Sequence, residues 1–201
     1  MFELKKMVLK IVLLFGFFLF VSPVYAQGTV NLGSMFANFV GSLHQLLDLL
    51  QYASYVIGIF LVVGSVYKFS QLGQGNNQLT VKTPLVMFFV GVAIFALTGS
   101  VAVMTQTMAM GSGPGDLLAP SMPGMDAMMG QAMLGVFLFI RLVGYIAFIR
   151  GFLLLNQYGQ GKNEALGKGL VHIFGGIAAI NVTVTAQILA NTFAPGMPMP
   201  F

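Results

Sequence analysis

Four stretches of this chain, residues 49–67, 84–104, 135–155 and 170–190, each run for 19 to 21 residues and share only two formal charges, Arg141 and Arg150. A helix needs about 20 apolar residues to cross a bilayer core, and in lipid every backbone group must find its partner within the segment. The alternating pattern of a membrane barrel strand is missing. These stretches therefore predict an all-α membrane protein with four spans. Composition points the same way, with 57% apolar residues and 7% charged, whereas soluble domains carry about a quarter charged residues. Nineteen Phe also exclude a disordered polar chain.

The first 26 residues read as an export signal. Lys5, Lys6 and Lys10 form a cationic lead, an apolar stretch of about ten residues follows, and Val24-Tyr25-Ala26 offers small residues at the recognition positions. Cleavage after Ala26 would start the mature chain at Gln27. The rival reading is an uncleaved first membrane helix, for which the apolar run is short. Removing the signal leaves six Lys/Arg against four Asp/Glu, so the net charge falls from +4 to +2. The basic character is thus partly a property of the signal, and it gives no footing for nucleic-acid binding. The absence of Cys removes disulfides, thiolate nucleophiles and Cys-based metal sites.

A repeat organises the mature chain. Shifting the sequence by 86 residues lays Gln71, Gly73, Gln74, Gly75, Asn77 and Lys82 on Gln157, Gly159, Gln160, Gly161, Asn163 and Lys168. Gly58, Phe88, Ala93 and Ile94 find identical partners at the same shift, making ten identities in 37 positions. The polar signature Gln-x-Gly-Gln-Gly-x-Asn, with a Lys five residues on, carries more weight than the apolar matches, which arise readily by chance. Each copy reads as apolar segment, short turn, apolar segment. Two tandem transmembrane hairpins follow: a first repeat over 27–106, a linker at 107–129 rich in Met, Pro and Gly, and a second repeat with its tail over 130–201. Ahead of the first span, Phe36, Phe39, Val40, Leu43, Leu46, Leu47 and Leu50 recur at helical spacing. This lead is either an interfacial helix or an extension of the first span.

Charge gives the orientation. Lys68, Lys82, Arg150, Lys162 and Lys168 flank the two turns, while the mature N-terminal segment, the linker and the tail hold no Lys or Arg. The positive-inside rule puts both turns in the cytoplasm and, with export of Gln27, both mature termini in the periplasm of a bacterial inner-membrane protein. An even number of spans per copy makes the repeats parallel, unlike the inverted repeats of many transporters.

Chemistry is sparse. Arg141 and Arg150 lie nine residues apart, which puts them on opposite helix faces. An intramembrane charge marks a functional position by default, so Arg141 is a candidate for pairing with Asp48, Asp126 or a lipid phosphate, against simple snorkelling to the headgroups. His44 and His172 stand alone, without the spacing of metal ligands. Glu164 lies in a turn whose other copy has Gln78. The Gly-Gln-Gly turns match neither phosphate-binding glycine motif. No catalytic residue, cofactor, metal or small-molecule substrate is expected. Glycines at 58, 64, 91, 99, 144, 151, 175 and 176 fit close helix packing in lipid.

Taken with the signal and the Met/Pro-rich linker, the turns Ser70-Gln71-Leu72-Gly73-Gln74-Gly75-Asn76 and Asn156-Gln157-Tyr158-Gly159-Gln160-Gly161-Lys162 give a chain that resembles the IcmC/DotE-like, TraQ-related small inner-membrane components of type IVB secretion and conjugation systems. The resemblance implies a non-enzymatic subunit that works through membrane lipid and other secretion-apparatus membrane subunits, with no direct nucleic-acid contact. The turn residues, Lys82, Lys168 and Arg141 are the expected interaction positions. A small transporter or channel lined by Arg141, Asn181 and Thr183, and a pilin-like structural subunit, are the alternatives.

Overall fold

The computed structural model describes residues 32–75, 79–108 and 127–193. The signal segment, most of the linker, Asn77, Asp126 and the tail after residue 193 lie outside them. All regular elements among the described residues are α-helices: α1 (Leu32–Gly73), α2 (Lys82–Phe95), α3 (Leu97–Thr107), α4 (Ala127–Gly159), α5 (Ala165–Ile180) and α6 (Val182–Phe193).

The apolar lead is not a separate interfacial helix. It runs without a break into the first span, giving a 42-residue α1 of about 63 Å at 1.5 Å per residue. Its N-terminal part packs on α4, where Phe39 and Val40 lie against Gly135. The 33 residues of α4 extend about 50 Å. Both helices are apolar and long enough to cross a membrane.

The second and fourth apolar stretches are not straight. Each is a helix pair bent through a right angle, α2 to α3 by 96° and α5 to α6 by 94°. The chain therefore has two helices fit to span, or four if each bent pair counts as one span. The 14 residues of α2 cover only about 21 Å, less than a hydrocarbon core of about 30 Å. The hinge residues, Ala96 (φ −90°, ψ 47°) and Asn181 (φ −101°, ψ 45°), are neither Gly nor Pro. A hydroxyl four residues further on takes up the freed acceptor. Ser100 Oγ donates to Ala93 O at 2.8 Å and Thr185 Oγ1 to Ala178 O at 2.7 Å. Those are the carbonyls that the Leu97 and Val182 amides would use in an unbroken helix.

Glycine lets each hairpin close. A Cβ on Gly58 would stand 2.5 Å from the Phe95 nitrogen, and one on Gly144 would stand 2.8 Å from the Ile180 nitrogen. Gly91 meets Val62 as Gly176 meets Phe148, and Gly64 and Gly151 are similarly crowded. Gly99 and Gly175 face open space and contribute nothing to the packing.

These contacts correct the register of the repeat. In α1 and α4, Gly58 and Val62 correspond to Gly144 and Phe148 at a shift of 86. In the second helices, Phe95, Gly91 and Ser100 correspond to Ile180, Gly176 and Thr185 at a shift of 85. One residue is missing between Gly161 and α5. Leu85, Val86, Phe89, Gly91, Ala93 and Thr98 then fall on the identical residues Leu170, Val171, Phe174, Gly176, Ala178 and Thr183. The matches of Phe88, Ala93 and Ile94 with Phe174, Ala179 and Ile180 are chance coincidences, and Lys82 corresponds to Gly167 rather than Lys168.

The two hairpins share one core. Val90, Ile94, Leu97 and Val101 from the first pack with Phe148, Ile149, Phe152, Ile173, Ile177 and Ile180 from the second. α4 runs parallel to α1, because its start lies on Phe39 and Val40 while its end, at Gly159, lies on Val86 near the first turn. Both turns therefore sit at one end of the bundle, as parallel repeats require.

Candidate functional site

Two groups of residues stand out: the pair of turns at one end, and a polar cluster at the second hinge. The backbone repeats from turn to turn. Gln74 N donates to Ser70 O and Gly75 N to Leu72 O, as Gln160 N donates to Asn156 O and Gly161 N to Tyr158 O. Lys162 N bonds to Gln157 O at 3.2 Å, which with the Gly161 bond completes a Schellman C-cap. Such a cap needs a left-handed residue, which Gly161 supplies at φ +94°; Gly75 has the same left-handed backbone, at φ +81°. The second glycine of each Gly-Gln-Gly is thus a backbone requirement. Gln74, Gln160 and Asn163 are exposed, and Gln71 and Gln157 are half-buried.

The surroundings of the turns differ. Gly159 is buried against α2: its carbonyl accepts from Thr83 Oγ1 at 2.8 Å, and a Cβ on it would stand 2.7 Å from Val86 Cβ. The Lys82 ammonium lies 3.6 Å from the centre of the Tyr158 ring. Gly73 occupies the same place in the first turn but is exposed, with nothing within 4 Å of a Cβ built on it. Lys168 pairs with Glu164, at 3.5 Å, in an exposed pair one helical turn apart, of a kind worth a few tenths of a kcal/mol. Lys82 and Lys168 therefore play different parts, and the Tyr158 and Thr83 contacts left no signal in the residue pattern.

At the second hinge, Asn181 is buried and donates from Nδ2 to Thr105 Oγ1 on α3 and to Ile177 O, both at 3.0 Å. Its Oδ1 finds no hydrogen-bond donor among the described residues. Arg141 Nε donates to Ile180 O at 3.1 Å. The hinge thus gives the Arg141 cation a backbone partner that a search for carboxylates could not find. Asp48 shares a small cavity with Arg141, lined also by Gln51, Leu97, Thr98 and Tyr145. Arg150 is exposed on the other face of α4, as the spacing predicts. His44 and His172 each bond back to a carbonyl of their own helix, Val40 and Lys168.

The bend of α2 into α3 leaves an apolar groove of about 650 Å³ against α4, lined by Val86, Phe89, Ala93, Gly99, Phe152 and Tyr158 among others. Comparison with protein-family models, curated proteins and solved structures finds no match.

Proposed function

We propose that this chain is a non-enzymatic inner-membrane subunit of a type IVB secretion or conjugative transfer apparatus, acting by helix packing and by presenting its two turns to other subunits. The observation that carries this reading is the twice-used Gln-x-Gly-Gln-Gly turn, with two backbone hydrogen bonds and a left-handed second glycine common to both copies, placed at one end of the bundle. It is the same signature on which the resemblance rests. The many apolar side chains exposed on α1 and α4 support a role among lipids and neighbouring membrane helices.

In this reading the signal is removed, the turns face the cytoplasm, and α1 and α4 cross the bilayer. α2 and α5 rise from the cytoplasmic side, and α3 and α6, richer in Thr, Ser and Gln, lie in the outer interface. The linker and tail are then periplasmic. Arg141 and Asp48, on the far side of the first hinge from the turns, sit near the outer headgroups.

Replacing Gln71, Gln74, Gln157 and Gln160 together by Ala should abolish translocation while the chain still inserts and accumulates. Unimpaired translocation by that variant would refute the turns as docking points. Pull-down of the wild-type chain should bring down a multi-protein envelope complex, and recovery of the chain without companions would refute the apparatus assignment.

A further inference from the structure

The contact between the two hairpins is head-to-tail. α4 of the second hairpin packs on both α1 and α2 of the first. A two-fold arrangement would require the converse contact of α5 on α1, and those two helices do not touch. Each hairpin thus has two unlike faces. One face, made by α2 with α1, covers the other face, on α4. The same folded unit occurs twice, so the chain is left with one uncovered copy of each.

Both uncovered copies have the right character. On α4 the covered face carries Ile149 and Phe152, each 7% exposed, and buried Gly159. Their equivalents on α1 are Val63 and Val66, 61% and 58% exposed, and exposed Gly73. On α2 the covering face carries buried Thr83 and half-buried Val86. Their equivalents on α5 are exposed Lys168 and Val171, the latter 70% exposed. Gly73 adds an independent point. A glycine costs about 1 kcal/mol against alanine in a helix, and crowding by Val86 explains Gly159. Among the described residues nothing crowds Gly73.

The geometry points to a second copy of this chain as the occupant. The α5 face around Val171 of one molecule seats on the α1 face around Gly73, Val66 and Val63 of the next, reproducing the contact that Val86 makes on Gly159. Both hairpins run in the same direction, so all copies share one orientation in the bilayer and the assembly grows within its plane. Heterologous contacts of this kind close into rings or continue as open arrays.

The chain has no Cys, so paired cysteines report the contact cleanly. Full-length chain carrying Gly73→Cys and Val171→Cys, oxidised in native membranes, should give a ladder rising in steps of one chain. Chains with only one of the two substitutions should cross-link solely when mixed with the other, and then stop at dimers. Gly73→Cys with Leu170→Cys is the control. Leu170 is exposed, next to Val171 at about the same depth, and turned 100° away. No ladder from the first pair, or an equal one from the control, would overturn the proposal. Monomer mass in mild detergent with no ladder in membranes would do the same, and would assign the faces to lipid or an unlike subunit.

Discussion

Asn181 is the residue on which the second hinge depends. Its amide holds α3 to the hinge through Thr105, and both side chains are buried. Thr105→Val keeps the shape and removes the acceptor, orphaning one Nδ2 hydrogen while the other still bonds to Ile177 O. The loss of a buried hydrogen bond costs about 1–3 kcal/mol, which should lower the unfolding midpoint in detergent, followed by circular dichroism. An unchanged midpoint would show that the bond does not hold the hinge. Arg141→Leu removes the donor to Ile180 O and should cost about 1 kcal/mol in the same assay. Arg141 was visible in the sequence as an anomaly, since a cation amid apolar residues stands out. Its partner was not visible, because a freed carbonyl belongs to the backbone and leaves no letter.

At the scale of the element, the turns were legible and the hinges were not. A polar signature repeated between apolar segments has few chance equivalents, and its second glycine meets a left-handed backbone in both copies. Gly75→Ala and Gly161→Ala should each cost about 1–2 kcal/mol, the penalty for an L residue in that region, read as equal shifts in midpoint. The first glycines should separate: Gly159→Ala pushes on Val86 and destabilises, while Gly73→Ala, uncrowded at the end of its helix, leaves the isolated chain as stable or more so, by up to about 1 kcal/mol. Equal losses at both would contradict the asymmetry of the turns. The hinges escaped because hydropathy reports the length of an apolar run and is blind to a bend within it. Ala96 and Asn181 are ordinary helix residues in that respect; of the usual signals of a kink, Pro or paired Gly and Ser, the first hinge has only Gly99-Ser100 just beyond it and the second has none within four residues. The recurring hydroxyls of Ser100 and Thr185 were the available clue. Ser100→Ala should orphan Ala93 O and cost about 1–3 kcal/mol, or let α2 run straight on into α3. Distances between spin labels on α2 and α3 tell these outcomes apart.

For the whole molecule, the two hairpins are joined by a broad apolar core and by polar contacts at both ends, Thr83 on Gly159 and Asn181 on Thr105. Covalent continuity between them is then dispensable. A chain divided within 109–126, with each half given its own export signal, should reassemble in the membrane, and the halves should co-purify. Halves that stay apart would show that the linker is needed to hold them together.

The single residue missing ahead of α5 bears on how such a chain arose. The turn's backbone bonds and left-handed glycine are common to both copies and so is the helix seam, so the one-residue difference is absorbed by the few positions between them. An ancestral gene for one hairpin, copied end to end, could lose a codon there without disturbing either neighbour. The slack lies around Glu164, where one amino acid inserted today should pass unnoticed by the bundle.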